Sequence, residues 1–178
     1  MNLQPINPYN QQKKKSTKKK GKYMSWIEPI TDRTQADVDR AKYLISKGYV
    51  NLTAEEKAEW DAGLKGCFNR SDAERIVNNI NLLAEVLEIT VPTWVNIPYT
   101  PLTQDIDYHI RYPIQRIRES YSVYDTTPEV PGYSNHWDYQ KINDLEQILK
   151  DVYSIVESNF YYNSTDEITM GDSVGLIL

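Results

Sequence analysis

Four polar residues, each followed three positions later by an acid, punctuate the chain after Trp26: Thr34 with Asp37, Thr53 with Glu56, Ser71 with Glu74, and Asn135 with Asp138. In this arrangement the polar side chain accepts from an amide of the opening helical turn and the acid reaches back to the capping amide. Donors that a helix start leaves orphaned are thereby satisfied. A chain marked in this way is constrained to build helices. The marks predict helices from Thr34 to about Ser46, ended by Gly48; from Thr53 to near Gly63 or Gly66; from Ser71 to about Glu88; and from Asn135 to about Asn159.

Apolar residues at helical spacing give the long helices one buried stripe each: Ile76, Ile80, Leu83 and Leu87 on the third, and Ile142, Leu145, Leu149, Val152 and Val156 on the last. Between them six prolines (Pro92, Pro98, Pro101, Pro113, Pro128 and Pro131) break the segment 91–133 into extended pieces around one helix, expected from about Gln104 to Tyr124. Its stripe is Ile106, Ile110, Ile114, Ile117 and Tyr121, and Pro113 is expected to kink or restart it. From Phe160 onward, alternating and β-branched residues predict a short hairpin or an extended docking strand.

The expected fold is therefore mainly α: a small domain of four to five helices, with a proline- and tyrosine-rich irregular middle and a short C-terminal β or extended segment. It divides into an arm (1–22), a helical domain (23–160) made of an N-terminal unit (23–90), a connection (91–133) and a last helix (134–160), and a docking segment (161–178). An echo at an offset of 66 residues pairs Asn69, Asp72, Arg75, Ile76 and Val86 with Asn135, Asp138, Lys141, Ile142 and Val152, a likeness that any two capped amphipathic helices can share.

The 178 residues suffice for one or two small domains. No apolar run approaches the roughly 18 residues of a spanning helix, so no membrane role is expected. The formal charge of −5 is polarised, because Met1 to Lys22 holds seven lysines and no acid, whereas the remainder nets −12. Lys13, Lys14, Lys15, Lys18, Lys19 and Lys20, with almost nothing apolar around them, read as a tail. It is either an arm for an acidic protein surface or nucleic acid, or a solvated extension attracted to the acidic body. No aromatic platform interleaves the lysines, which disfavours a dedicated nucleic-acid reader. Cys67 is a single cysteine without an internal partner, and the N-terminus lacks the order of a signal peptide.

Chemistry-bearing constellations are sparse. His109 and His136 lie at no metal-ligand spacing from each other or from Cys67. Gly63 and Gly66 lack the residues of a phosphate loop, Asp105 and Asp107 lack the rest of a calcium loop, and a pair such as Asp166 with Asp172 is expected by chance among 25 acids. Asn51, Asn69 and Asn163 read as turn and cap residues rather than glycosylation sites. Arg75 and Lys141 read as solvated charges. No catalytic residue, metal or cofactor is expected.

The aromatic bias is more informative: 14 tyrosines stand against two phenylalanines, with seven tyrosines between positions 99 and 139 near Trp94 and Trp137. Tyrosine covers apolar surface while keeping a polar tip wet, which suits protein interfaces, sugar stacking or the rim of a small core. Tyr108, Tyr112 and Tyr124 are candidate partner-binding residues, together with the lysine arm and the apolar Leu176, Ile177 and Leu178. Trp94 and Trp137 are the candidates for sugar stacking.

Several runs resemble a known group of proteins. They are Trp26 to Thr34, Asp37-Val38, Lys47-Gly48-Tyr49, Leu52 to Glu56, Trp60, Leu64-Lys65-Gly66, Asn69 to Asn79, Pro128 to Pro131 and Tyr139 to Leu149. Together, over about 23–153, they resemble segments of tail-associated structural proteins of tailed phages and prophages of Gram-positive bacteria. That family's first long helix reads Asn-Arg-Ile-Glu-x-Asn, whereas this chain has Val77 in place of the glutamate. The resemblance implies a noncatalytic virion component of tail or baseplate, made in the bacterial host's cytoplasm and docking in several copies onto other virion proteins. The competing expectation is a carbohydrate- or receptor-binding module.

Overall fold

The computed structural model describes residues 25–98 and 103–174, with side chains described as far as Asn159. The helices are α1 (Gln35–Lys47), α2 (Ala54–Asp61), α3 (Arg70–Val86), α4 (Thr103–Ile106), α5 (Tyr112–Glu119) and α6 (Tyr139–Val174). A 3-10 turn (Tyr49–Asn51) precedes α2, and a π-helical turn (Asp107–Arg111) joins α4 to α5. The fold is mainly helical, and the described residues contain no strand.

Two of the four expected starts stand where the marks place them. Thr34 with Asp37 and Thr53 with Glu56 both form reciprocal capping boxes, and Gly48, at φ 73°, ends α1. The third is displaced. Asp72, not Glu74, carries the cap, accepting the Asn69 amide at 2.7 Å, while Glu74 pairs with Arg70 on the surface. Two cap signatures overlap there, and burial of Asp72 among arginines selects the earlier one. The fourth also moves: α6 starts at Tyr139, with Asp138 accepting the Lys141 amide at 2.9 Å, because the Ser134 hydroxyl and the His136 backbone bond each other and hold residues 134–136 out of the helix. Asp72 is thus third in its helix and Asp138 precedes its own, so the 66-residue echo does not extend to equivalent capping roles.

The middle helix is shorter than expected, ending at Glu119 rather than near Tyr124. As expected of a restart, α5 begins at Tyr112 with Pro113 in its first turn, after a π-helical irregularity. The Tyr112 amide bonds to the Asp107 carbonyl five residues back, and this widened turn lies immediately before the proline. Ile110, Ile114 and Ile117, all fully buried, hold the helix in place through the irregularity.

At the other end, α6 continues to Val174, where an extended or β segment is expected from position 161. Residues 161–174 contain no proline, and once a helix is nucleated each further residue adds a hydrogen bond, so β-branched Ile168 and Thr169 do not stop it. Leu176, Ile177, Leu178 and the arm's lysines lie outside the described residues.

The stripes of α3, the α4–α5 helix and α6 converge on one core in which Ile76, Leu83, Ile110, Ile114, Leu145 and Leu149 are each fully buried. A second cluster, Ala41, Leu44, Leu52 and Leu64, seats α1 and α2 beside it. The two regions meet at Gly66, where a Cβ would stand 2.1 Å from the Asp37 carbonyl oxygen; only glycine permits the loop to approach α1 so closely.

Candidate functional site

The chain entering the fold is extended from Ser25 to Arg33 and lies along α3 and α6 as a strap. Its backbone groups have no neighbouring strand to pair with, and side chains of the two helices take that place. Asn79 accepts the Ile27 amide at 3.1 Å and donates to the Ile27 carbonyl at 2.7 Å. Asn143 does the same for Arg33, accepting its amide at 3.3 Å and donating to its carbonyl at 2.8 Å. Glu146 accepts the Ile30 amide at 2.9 Å. The gripped positions, 27, 30 and 33, recur every three residues. Trp26 stacks flat on Tyr153 with ring centroids 4.0 Å apart, and Lys150 pairs with Glu28. The strap therefore runs antiparallel to both α6 and α3, which are parallel to each other.

Under the strap sits a buried charge cluster. Arg33 donates to Asp72 and to Glu146, each at 2.9 Å, and Arg75 donates to the same two carboxylates, each at 2.8 Å. Burial opposes the Arg75 charge, but the hydrogen bonds and negative charge of Glu146 and Asp72 outweigh it and hold the guanidinium above its ordinary pKa. Arg75 is thus part of the interior, not the solvated charge expected. Lys141 remains at the surface end of α6, paired with Asp138 and donating to the His136 carbonyl. Two cations and two anions satisfy one another here.

The aromatic candidates separate. Tyr108 (58% exposed) and Tyr112 (41%) stand one turn apart on the outside of the α4–α5 helix, and Tyr124 (46%) and Tyr133 project from the following segment. Trp94 is different: it is buried in the core and stacks on His109 at 4.9 Å between centroids, which leaves no open ring face for a sugar. Trp137 packs partly buried against the same core. Its Nε1 and the Nδ1 of His109 are buried without a protein partner. Cys67 is half-buried, and desolvation, with Asp72 nearby, pushes its thiol pKa up, away from the reactive thiolate.

A cavity of about 60 Å³ between Arg33, Cys67 and Trp137, a cleft of about 270 Å³ between α5 and the segment 129–132, and an open groove of about 610 Å³ beside α1 and α2 lie among the described residues. Among the described residues, no group of three or more His, Cys, Asp or Glu side chains is placed to hold a metal, and no helix is long and apolar enough to cross a membrane. No protein family, curated protein or solved structure matches this chain.

The sequence marked the outer tyrosines but missed the strap site. Asn79, Asn143 and Glu146 carry no spacing signal relative to their partners Ile27, Arg33 and Ile30, which lie 52, 110 and 116 positions away, and only the parallel packing of α3 and α6 brings them into one row.

Proposed function

We propose that this protein is a noncatalytic structural or adaptor component of a phage virion, of tail or baseplate, that docks in several copies onto other virion proteins. The observation that carries the docking role is the two-sided α4–α5 helix. Ile106, Ile110, Ile114 and Ile117 anchor one side in the core while Tyr108 and Tyr112 stand out on the other. Tyrosine held on a rigid helix offers large amphipathic contact area at low entropy cost, as interface anchors do. The buried charges support the same reading, since Arg33, Asp72, Arg75 and Glu146 are engaged in fastening the strap to the helices. The assignment to a virion rests on the resemblance of the runs between 23 and 153 to phage tail-associated proteins.

The test is a purified phage particle from a lysogen carrying a photo-crosslinking residue at Tyr108 or Tyr112. The chain is expected in the particle at fixed stoichiometry, with adducts to structural proteins from both positions. Particles that lack the chain would overturn the virion reading, and particles containing it without adducts from either tyrosine would overturn the proposed docking face.

A further inference from the structure

The groove beside α1 and α2 has an apolar wall made by Ile45, Trp60, Leu64 and Phe68, with Arg70 and Asp61 on its rim. Ile45 is the informative residue. Leu44, its neighbour on α1, is completely buried, yet Ile45 is 52% exposed at the groove's lip. We propose that this groove receives the apolar Leu176-Ile177-Leu178 segment of a second copy of the chain, in a head-to-tail contact.

Placement argues for the second copy. Cys67 and Phe68 line both the groove and the cavity formed with Trp137, Asp138 and Tyr139, so the groove lies at the beginning of α6. α6 is 36 residues long, about 54 Å at 1.5 Å per residue, and leads away from it. Residues 175–178, even fully extended, reach about 14 Å, so the segment cannot return along its own helix to its own groove. Groove and Val174, the last described residue of α6, stand at opposite ends of that helix. Chemistry matches as well, because three consecutive large aliphatic side chains gain by leaving water for an apolar wall. A contact between different surfaces of identical chains is heterologous: it closes a ring if the rotation between copies permits and otherwise continues as a stack.

The inference deepens the adaptor reading by naming one partner, but it concerns the purified chain alone. Particles without the chain would remove the virion reading and leave the pairing untouched. Sedimentation velocity on the full chain, on Ile45→Glu, on a chain lacking residues 176–178, and on an equimolar mixture of the two variants tests it. The full chain is expected to associate with rising concentration, each variant alone to stay monomeric, and the mixture to form a 1:1 pair and nothing larger, since it holds one intact groove and one intact tail per pair. A peptide of residues 171–178 in excess is expected to disperse the full-chain assembly, which tests the groove without any substitution. A full chain that is monomeric at the highest attainable concentration, a truncated chain that associates like the full one, an Ile45→Glu chain that still associates, or a mixture that remains monomeric would each overturn the proposal.

Discussion

Arg33 and Glu146, 113 positions apart, meet with Nη1 and Oε1 separated by 2.9 Å and with only 3% and 1% of their side chains exposed. This contact fastens the segment preceding the first helix to the middle of the last. A buried pair repays its desolvation only when the remaining hydrogen-bonding positions are filled. Here Asp72, Arg75, Asn143 and the Ile30 backbone fill them.

Glu146→Ala therefore leaves two buried guanidinium groups short of an acceptor and the Ile30 amide without a partner. The expected loss is about 3 to 5 kcal/mol of unfolding free energy, the range for breaking one side of a buried ion pair. Arg70→Ala, which removes only an exposed pair with Glu74, should change stability by no more than about 1 kcal/mol. Urea denaturation of the two variants makes the comparison, and equal effects would show that the buried cluster contributes nothing special.

Asn79→Ala and Asn143→Ala each remove two hydrogen bonds to strap backbone, and each is expected to cost about 1 to 3 kcal/mol. The losses should be local as well as global. Amide hydrogen exchange at Ile27 should accelerate in the first variant and at Arg33 in the second, while α6 amides near Leu149 exchange as in the parent under conditions where global unfolding does not dominate.

Gly66→Ala and Gly132→Ala form a matched pair. At Gly66 the added Cβ meets the Asp37 backbone at 2.1 Å, so loop and helix must separate; at Gly132 nothing lies within 4 Å. Thermal unfolding should show a large loss for the first, of the overpacking size of about 1 to 3 kcal/mol or more. The second should be neutral or stabilising by up to about 1 kcal/mol, through a less flexible unfolded chain.

Asp144 supplies a pH-dependent prediction. Desolvation, aided by the neighbouring Asp138 charge, raises its pKa above the ordinary aspartate value of 3.8. The folded state therefore binds this proton more tightly than the unfolded state. Ionising Asp144 costs stability, and that cost develops as pH rises from 3.8 through the raised folded value and persists at neutral pH. Asp144→Asn should stabilise the protein at pH 7, with the advantage vanishing in acid below 3.8, as measured by denaturation midpoints across pH. An advantage independent of pH would assign the effect to something other than charge.

Local chemistry made much of this architecture legible. Thr34 with Asp37 and Thr53 with Glu56 cap their helices as read, because a capping box depends only on residues three apart. Most of the stripes of α3, the middle helix and α6 are buried for the same reason, since helical periodicity expresses itself over a few turns; Leu87 and Val156 are only partly buried, and Tyr121 lies beyond the end of α5. The misplaced starts at Ser71 and Asn135 show the boundary of that logic. At Ser71 a second acid, Asp72, takes the cap because distant Arg33 draws it into the buried cluster, whereas at Asn135 the local bonds between Ser134 and His136 shift the start to Tyr139.

What the sequence by itself determined is thus the helical class, two of the four helix starts and most of the core-facing residues of the three stripes, all consequences of spacing within a single element. Only the tertiary structure decided that Arg33, Asp72, Arg75 and Glu146 form one buried cluster, that asparagines on two helices grip an extended strap, and that Trp94 is interior while Tyr108 is not. The physical reason is range. Capping and periodic burial are satisfied within about a dozen residues, whereas a buried charge or an unpaired backbone amide must find its partner wherever the packing of whole helices happens to bring one.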